Sequence, residues 1–293
     1  MPWSLLVKTL FHWWVLLGLV LVSGGMAFMP ITLRGQGLQP LRQHIMMPYR
    51  RVMHLALAGS VIGTLLAAYY HLVTTVAPLP GAYSALILVR LALLGGLAVL
   101  VQWAEPDVSV WVLVPGAALL FTQSLLSHSA QLPQPLAPVL ADWIHLTFAS
   151  LWLGGVAMLS FVVTPHAEPK DLGIVISHFS PLAMFCVFAV TLTGIIQSAS
   201  FVGSLSELFT ATYGRTILMK VALLIVLIGF GAFHQQVISP QLQAWALRDR
   251  AGVELAVRRF RISILLETVM GVLILLAAGA LTALPPSIST PLG

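Results

Sequence analysis

Charge is scarce in this chain: Asp, Glu, Lys and Arg make up 8% of its 293 residues. An ordinary soluble domain carries about 25%, so a water-soluble fold would lack the polar side chains to cover its surface. Cysteine is scarcer still. The single Cys186 excludes an internal disulfide and any cage of several thiolates; within an apolar run it reads as a small buried hydrophobe. No G-x-x-x-x-G-K-[ST] loop cradles nucleotide phosphates. No H-E-x-x-H or G-x-S-x-G motif points to hydrolysis. The period-2 alternation of a membrane barrel is missing too. The expectation is a protein that is not an enzyme, has no ATPase of its own, and draws on a gradient or on delivery of its cargo.

What is present is apolar. Hydrophobic residues make up 59% of the chain, in recurring runs of ~20, long enough to cross a hydrocarbon core as helices. We expect an all-α, polytopic integral membrane protein in contact with lipid and without a soluble domain. Eight transmembrane helices are expected at about 10–30, 51–76, 83–103, 109–129, 141–164, 173–200, 214–236 and 261–284. The net charge of +5 is no nucleic-acid signal, because the basic residues fall in loops. Arg34, Arg42, Arg50, Arg51, Lys170, Arg248, Arg250, Arg258, Arg259 and Arg261 lie on one side, whereas loops 77–82, 130–140 and 201–213 carry no Lys or Arg. Positive residues stay cytoplasmic, so both termini and the loop 130–140 are expected outside. Lys8, the run Leu16–Val22 and Ser23–Gly25 resemble a signal peptide. Cleavage there would leave seven spans and break an internal repeat.

That repeat emerges when the chain is shifted by 130 residues. His12-Trp13 then falls on Asp142-Trp143, Gly24-Gly25 on Gly154-Gly155, Tyr83 on Tyr213 and Arg90 on Lys220. One extra residue places Gly63 on Gly194. Four crossings return a chain to the same side, so two parallel four-helix repeats are expected: 1–129 and 141–293, joined by a periplasmic loop 130–140, with a cytoplasmic loop 237–260 in the second. Transporters built this way hold their site between the repeats.

The stretch 126–165 occupies that junction. His128 closes one apolar segment; Asp142 and His145 open the next, three residues apart and so on one helix face. A helix N-cap role for Asp142 is the bland alternative. Imidazole with carboxylate suits divalent copper or zinc, and thioether sulfur suits monovalent copper. His12, matched to Asp142 by the repeat, and His71 add ligand-type residues in the outer half. Ionisable groups within spans tend to be functional: Arg90 and Lys220 lie in the outer half as counter-charges for acids such as Asp142 or as snorkelling cations. Glu267 with His178 would form an inner relay for an ion or proton. His44, His54, His166 and His234 are expected at or beyond the cytoplasmic edge. Met158 and Met219 are the first candidates for a path inward, although methionine is commonly a packing residue.

The segment ADWIHLTFASLWLGGVAML (141–159), preceded by SHSA (127–130), resembles the CopD copper-resistance family. The likeness continues through SHFSPLAMFCVFAVTLTG (177–194), TYGRTILMKVALL (212–224) and RRFRISILLETVMGVLILLAAGALTALPP (258–286). It covers about residues 120–286 well and the first half loosely. The family's histidine turn, often Gly-His-Ala, here reads Ser-His-Ser. The resemblance implies a multi-pass protein of the bacterial inner membrane that moves copper inward, with a separate CopC-like periplasmic copper binder as partner. Association with further copies of the chain is left open. The alternative is a cytochrome-like redox protein holding haem between histidines on several helices. His54 and His71, 17 residues apart on one helix, would then serve haems about 25 Å apart.

Overall fold

The computed structural model describes residues 3–75, 81–103, 110–238, 240–241 and 250–286, and no strand occurs among them. The helices are α1 (Trp3–Thr32), α2 (Gln39–Thr75), α3 (Gly81–Trp103), α4 (Leu113–Ser124), α5 (Leu136–Met158), α6 (Pro169–Phe201), α7 (Leu205–Thr210), α8 (Thr212–Phe233) and α9 (Arg250–Ala283). Among the described residues seven helical stretches are long and apolar enough to cross a membrane: Trp3–Thr32, Gln36–Thr74, Gly81–Trp103, Leu136–Val163, Pro169–Phe201, Thr212–Ile238 and Gly252–Ala283. This is a multi-pass helical membrane protein.

In the expected fourth span, 109–129, the α-helix α4 has 12 residues, fewer than the ~20 of an uninterrupted crossing. A 3₁₀ turn at Val110–Val112 precedes it and another at His128–Gln131 follows. Several helices begin earlier than expected, among them α1 at Trp3 rather than 10, α2 at Gln39 rather than 51, α5 at Leu136 rather than 141, and α9 at Arg250, inside the expected loop 237–260. Residues 242–249 of that loop, with Arg248, and residues 77–80 of the loop 77–82 lie outside the described residues.

α1 is the axis of the bundle. Its most apolar stretch is 83% buried against 6% for α8, so α1 sits at the centre and α8 at the rim. α1 packs on α2, α4, α5 and α9. Its partner α5 runs parallel to it, and the two meet at glycine. A side chain on Gly24 would lie 1.9 Å from the Ser150 carbonyl oxygen and 2.8 Å from Gly154 Cα, and one on Gly154 would lie 2.7 Å from Gly24 Cα. Only hydrogen in place of Cβ permits this approach, as in small-residue crossings of membrane helices. The core around it is Leu19, Val22, Met26, Met158 and Val163, each at most 2% exposed.

Other contacts pair residues that the repeat matches, with both partners at the offset of 130 only for His71–Tyr83 and Phe201–Tyr213. Trp13 Nε1 donates to the Val272 carbonyl (3.3 Å), tying α1 to α9, and Trp143 Nε1 donates to the Ala117 carbonyl (2.8 Å), tying α5 to α4. The His71 and Tyr83 rings stack at 4.7 Å, and Phe201 meets Tyr213 at 6.4 Å. Gly63 abuts Trp14 and Val15, as Gly194 abuts His145.

The opposite ends of α5 and α8 run into π-helical turns at Leu159–Val163 and His234–Ile238. Such turns shift the side chains beyond them around the helix. Pro169, after Glu168 in the N-cap position, starts α6, with Asp171 in its first turn, where a proline lacks no needed N–H and an acid meets the positive end of the helix dipole.

Candidate functional site

The earlier start of α5 changes the reading of Asp142. The N-cap position belongs to Pro135, so Asp142 stands about 9 Å inside the helix and cannot be its cap. His145 is one turn deeper on the same face. The carboxylate of Asp142 has the Ser124 and Ser127 hydroxyls, His128 and Lys220 as its polar neighbours. Four elements thus converge on it: the end of α4, the 3₁₀ turn, α5 and α8.

His128 is set by that 3₁₀ turn. Ser127 caps it by accepting from the Ser129 N–H (3.2 Å). His128 Nε2 donates to the Thr282 carbonyl of α9 (3.1 Å), so Nδ1 keeps its lone pair. His145 Nδ1 lies 3.0 Å from Thr193 Oγ1, whose own hydroxyl donates to the Ala189 carbonyl at 2.6 Å. Thr193 therefore accepts from Nδ1–H, and Nε2 is left as the basic nitrogen. A hydrogen bond on one ring nitrogen commonly fixes the other as a metal ligand. His12 of α1 is an electrostatic neighbour of His128 and Arg90.

The two intramembrane cations behave differently. Arg90 is 2% exposed and does not snorkel. Its Nε donates to Thr122 Oγ1 (2.9 Å) and its Nη2 to Gln123 Oε1 (3.0 Å). The guanidinium is thus held by neutral groups on α4, not by Asp142. Lys220 faces Asp142 and also His145. His71 stands aside, stacked on Tyr83.

Among the described residues no three His, Cys, Asp or Glu side chains close into a ready metal cage. His12, His128 and Asp142 form instead a loose sequence of neighbours at one end of the bundle, with His145 reached through Lys220. Such an array can offer imidazole nitrogen and carboxylate oxygen to a cation without holding it rigidly.

The expected inner route is partly redrawn. Met158 is fully buried, and its methyl group and Met53 Sδ both border Gly25: a Cβ there would lie 2.8 Å and 2.5 Å from them. The Tyr49 hydroxyl donates to Met26 Sδ nearby (3.6 Å). Met219 is 52% exposed and faces away from the bundle. It precedes Lys220 by one residue, so when Lys220 turns inward Met219 turns outward. The pairing of Glu267 with His178 is also corrected. His178 Nδ1 lies 3.0 Å from the Thr32 carbonyl, whereas Glu267 Oε2 lies 3.2 Å from His234 Nδ1. His234, expected at a solvated edge, is 6% exposed. It opens the π-helical turn still in register with α8, and the packing of α9 on that helix covers it.

The haem alternative is not favoured. His54 Nδ1 lies 2.7 Å from the Arg50 carbonyl of its own helix, and its ring is exposed. His71 at the far end of α2 is covered by Tyr83.

Comparison with known proteins gives a consistent picture. Residues 174–281 match the family profile described as Copper resistance protein D. That stretch runs from α6 to α9 and includes His178, Met219, Lys220 and Glu267, but not the α4–α5 junction. The chain is 26% identical over 170 residues to the Copper transport protein CutJ of Bacillus subtilis (strain 168), an alignment covering 57% of this chain and 29% of that relative. No solved structure matches. Through α6 to α9, the chain is similar to the family described as Copper resistance protein D, and it spans under a third of the length of the copper transport protein it matches.

Proposed function

We propose that this protein carries copper across the bacterial inner membrane, from the periplasm inward, by way of a His/Asp site at the α4–α5 end. The observation that carries this reading is the convergence on Asp142 of His128 and Lys220, with His12 beside His128. His128, Asp142, His145 and His12 offer nitrogen and oxygen ligands to the arriving ion; His71, covered by Tyr83, lies at the margin. Lys220 gives the array its reversibility. With no cargo its ammonium balances Asp142. A copper ion must displace that balance, and Lys220 is ready to restore it when the ion leaves. A conducting site needs binding strong enough to admit an ion and weak enough to release it. Met158, with Met53 and Met26, gives a softer sulfur environment further along, suited to monovalent copper.

The paired contacts at an offset of 130 support two parallel four-helix repeats, with α1 and α5 as the equivalent central helices. Basic loops on the opposite side support both termini facing outward. A CopC-like periplasmic protein is the fitting donor of the ion. Any self-association would use the exposed rim around α8.

The test is copper accumulation in cells that express the chain, its Asp142→Asn variant or neither. The reading expects accumulation above the empty control that falls back with Asp142→Asn. Equal copper in all three would refute it. A Soret band in the purified protein would favour the haem alternative instead.

A further inference from the structure

The buried group that the copper site leaves unused is at the other end of the bundle. His234, in the π-helical turn after α8, has a polar side chain beside each ring nitrogen. Nδ1 lies 3.2 Å from Glu267 Oε2 and Nε2 lies 2.6 Å from Ser263 Oγ. Glu267 and Ser263 are four residues apart on α9 and stand on one face. All three are buried, at 6%, 3% and 7% exposure. The Phe260 ring closes one side, 5.1 Å from the imidazole. Hydroxyl and imidazole are hydrogen-bonded, and the carboxylate stands next in line within 3.2 Å of the imidazole without closing a hydrogen bond to it.

The surroundings make this more than a packing contact. Arg258, Arg259 and Arg261 are on the exposed face of α9. α8 between Val221 and Phe233, α1 between Val20 and Thr32, and α5 from Ser150 onward carry no ionisable side chain. α6, which packs on the π-helical turn, brings Lys170, Asp171 and His178, and His178 is turned to the Thr32 carbonyl. Glu267 thus has His234 as its one ion-pair partner among the described residues. With His234 neutral the pair carries one negative charge; with one more proton it carries none. Nε2 is hydrogen-bonded to Ser263, and Nδ1 faces Glu267 Oε2, a buried oxygen with no hydrogen-bond partner among the described residues, so the carboxylate offers a place for a proton. Ionisable groups inside a membrane, in a line of this kind, mark ion or proton pathways, and π-helical turns concentrate at functional sites.

We infer that Ser263, His234 and Glu267 form a proton-carrying relay that couples proton movement to passage of the cargo. The proton arrives through the hydroxyl at Ser263, is taken up by His234 Nε2, and the resulting imidazolium gives its Nδ1 proton to Glu267. No bond other than those to hydrogen changes. α8 links the two sites mechanically: it carries Lys220 in the copper array and leads directly into His234, 14 residues along, about 21 Å by the helical rise. This inference rests on the transport reading above, and the experiment separates the two.

The full chain is reconstituted in liposomes that enclose a pH-sensitive dye, and copper and proton movement are recorded together. The wild type is expected to move protons when copper is supplied. Glu267→Gln and His234→Gln are expected to lose that proton signal while still binding copper, and Ser263→Ala to slow it. Retained copper binding shows that the variants are folded. Copper movement with no accompanying proton signal in the wild type, or an unchanged signal in both Glu267→Gln and His234→Gln, overturns the relay and leaves the transport reading standing. An independent arm needs no copper. Infrared difference spectra on acidification should show carboxyl and imidazole bands that vanish in Glu267→Gln. If the spectra show no proton uptake by the pair, the relay is wrong whatever copper does.

Discussion

Replacing Gly24 with alanine should wedge α1 from α5. The new Cβ would stand 1.9 Å from the Ser150 carbonyl oxygen, whereas ordinary contact begins at 3.4 Å. Its other neighbours, Gly154 Cα and the Ser150 carbonyl carbon at 2.8 Å, are also backbone, so no side chain can swing aside. The helices must part by about 1.5 Å at their crossing, in a core packed too tightly to absorb it. Overpacking of this kind costs about 3 kcal/mol, at the upper end of the usual range. Alanine for glycine within a helix otherwise gains about 0.5–1 kcal/mol. Gly96 on α3, where an added Cβ meets nothing within 4 Å, supplies the control and should show that gain. Cys186, fully buried and the only thiol, reports opening: a maleimide dye reacts with it only as the bundle melts. Thermal unfolding in detergent followed by this reaction should place Gly24→Ala well below wild type and Gly96→Ala at or slightly above it. Copper binding should weaken as well, because α1 carries His12 and α5 carries Asp142. If Gly24→Ala melts together with Gly96→Ala, the α1–α5 crossing described here is wrong.

Arg90→Met should destabilise the protein by about 3 kcal/mol, since it strands the buried Thr122 and Gln123 acceptors. Arg90→Lys should recover only part of this, because an ammonium cannot reproduce the two-pronged contact; the same melting assay reads both. Trp13→Phe and Trp143→Phe should each cost about 1 kcal/mol, the worth of one indole hydrogen bond. A large inequality between them would count against equivalent repeats. His71→Ala should leave copper binding by the purified chain unchanged within about twofold, as expected of a ring stacked on Tyr83 and not on the ion. A tenfold loss would return His71 to the site.

Much of this was legible in the sequence because membranes leave few options. Scarce charge and long apolar runs fix helices, and the shared spacing of Gly24-Gly25 with Gly154-Gly155 marks the crossing of α1 and α5. Asp142 was visible as a candidate too, but its depth within α5 was not. Leu136–Leu140 contain Pro138, which suggested a loop, yet proline is tolerated in a first helical turn. The short α4 escaped notice because apolar composition continues through its flanking turns. Thr193, Thr282, Ser124 and Gln123 also went unseen. A hydroxyl or amide in an apolar helix looks like packing until a partner arrives from another helix. His234 was misplaced for a related reason. Its position along α8 suggested the membrane edge, and only the packing of α9 on α8 brings Glu267 to it.

The central claim is that copper is held by nitrogen and oxygen ligands around Asp142. X-ray absorption of the copper-loaded full chain reads those ligands directly. The account predicts histidine scattering and light-atom ligands in the wild type, with both copper content and histidine scattering reduced in a His128→Ala, His145→Ala double variant. Copper bound only by sulfur, or the same content and spectrum in the double variant, would contradict it.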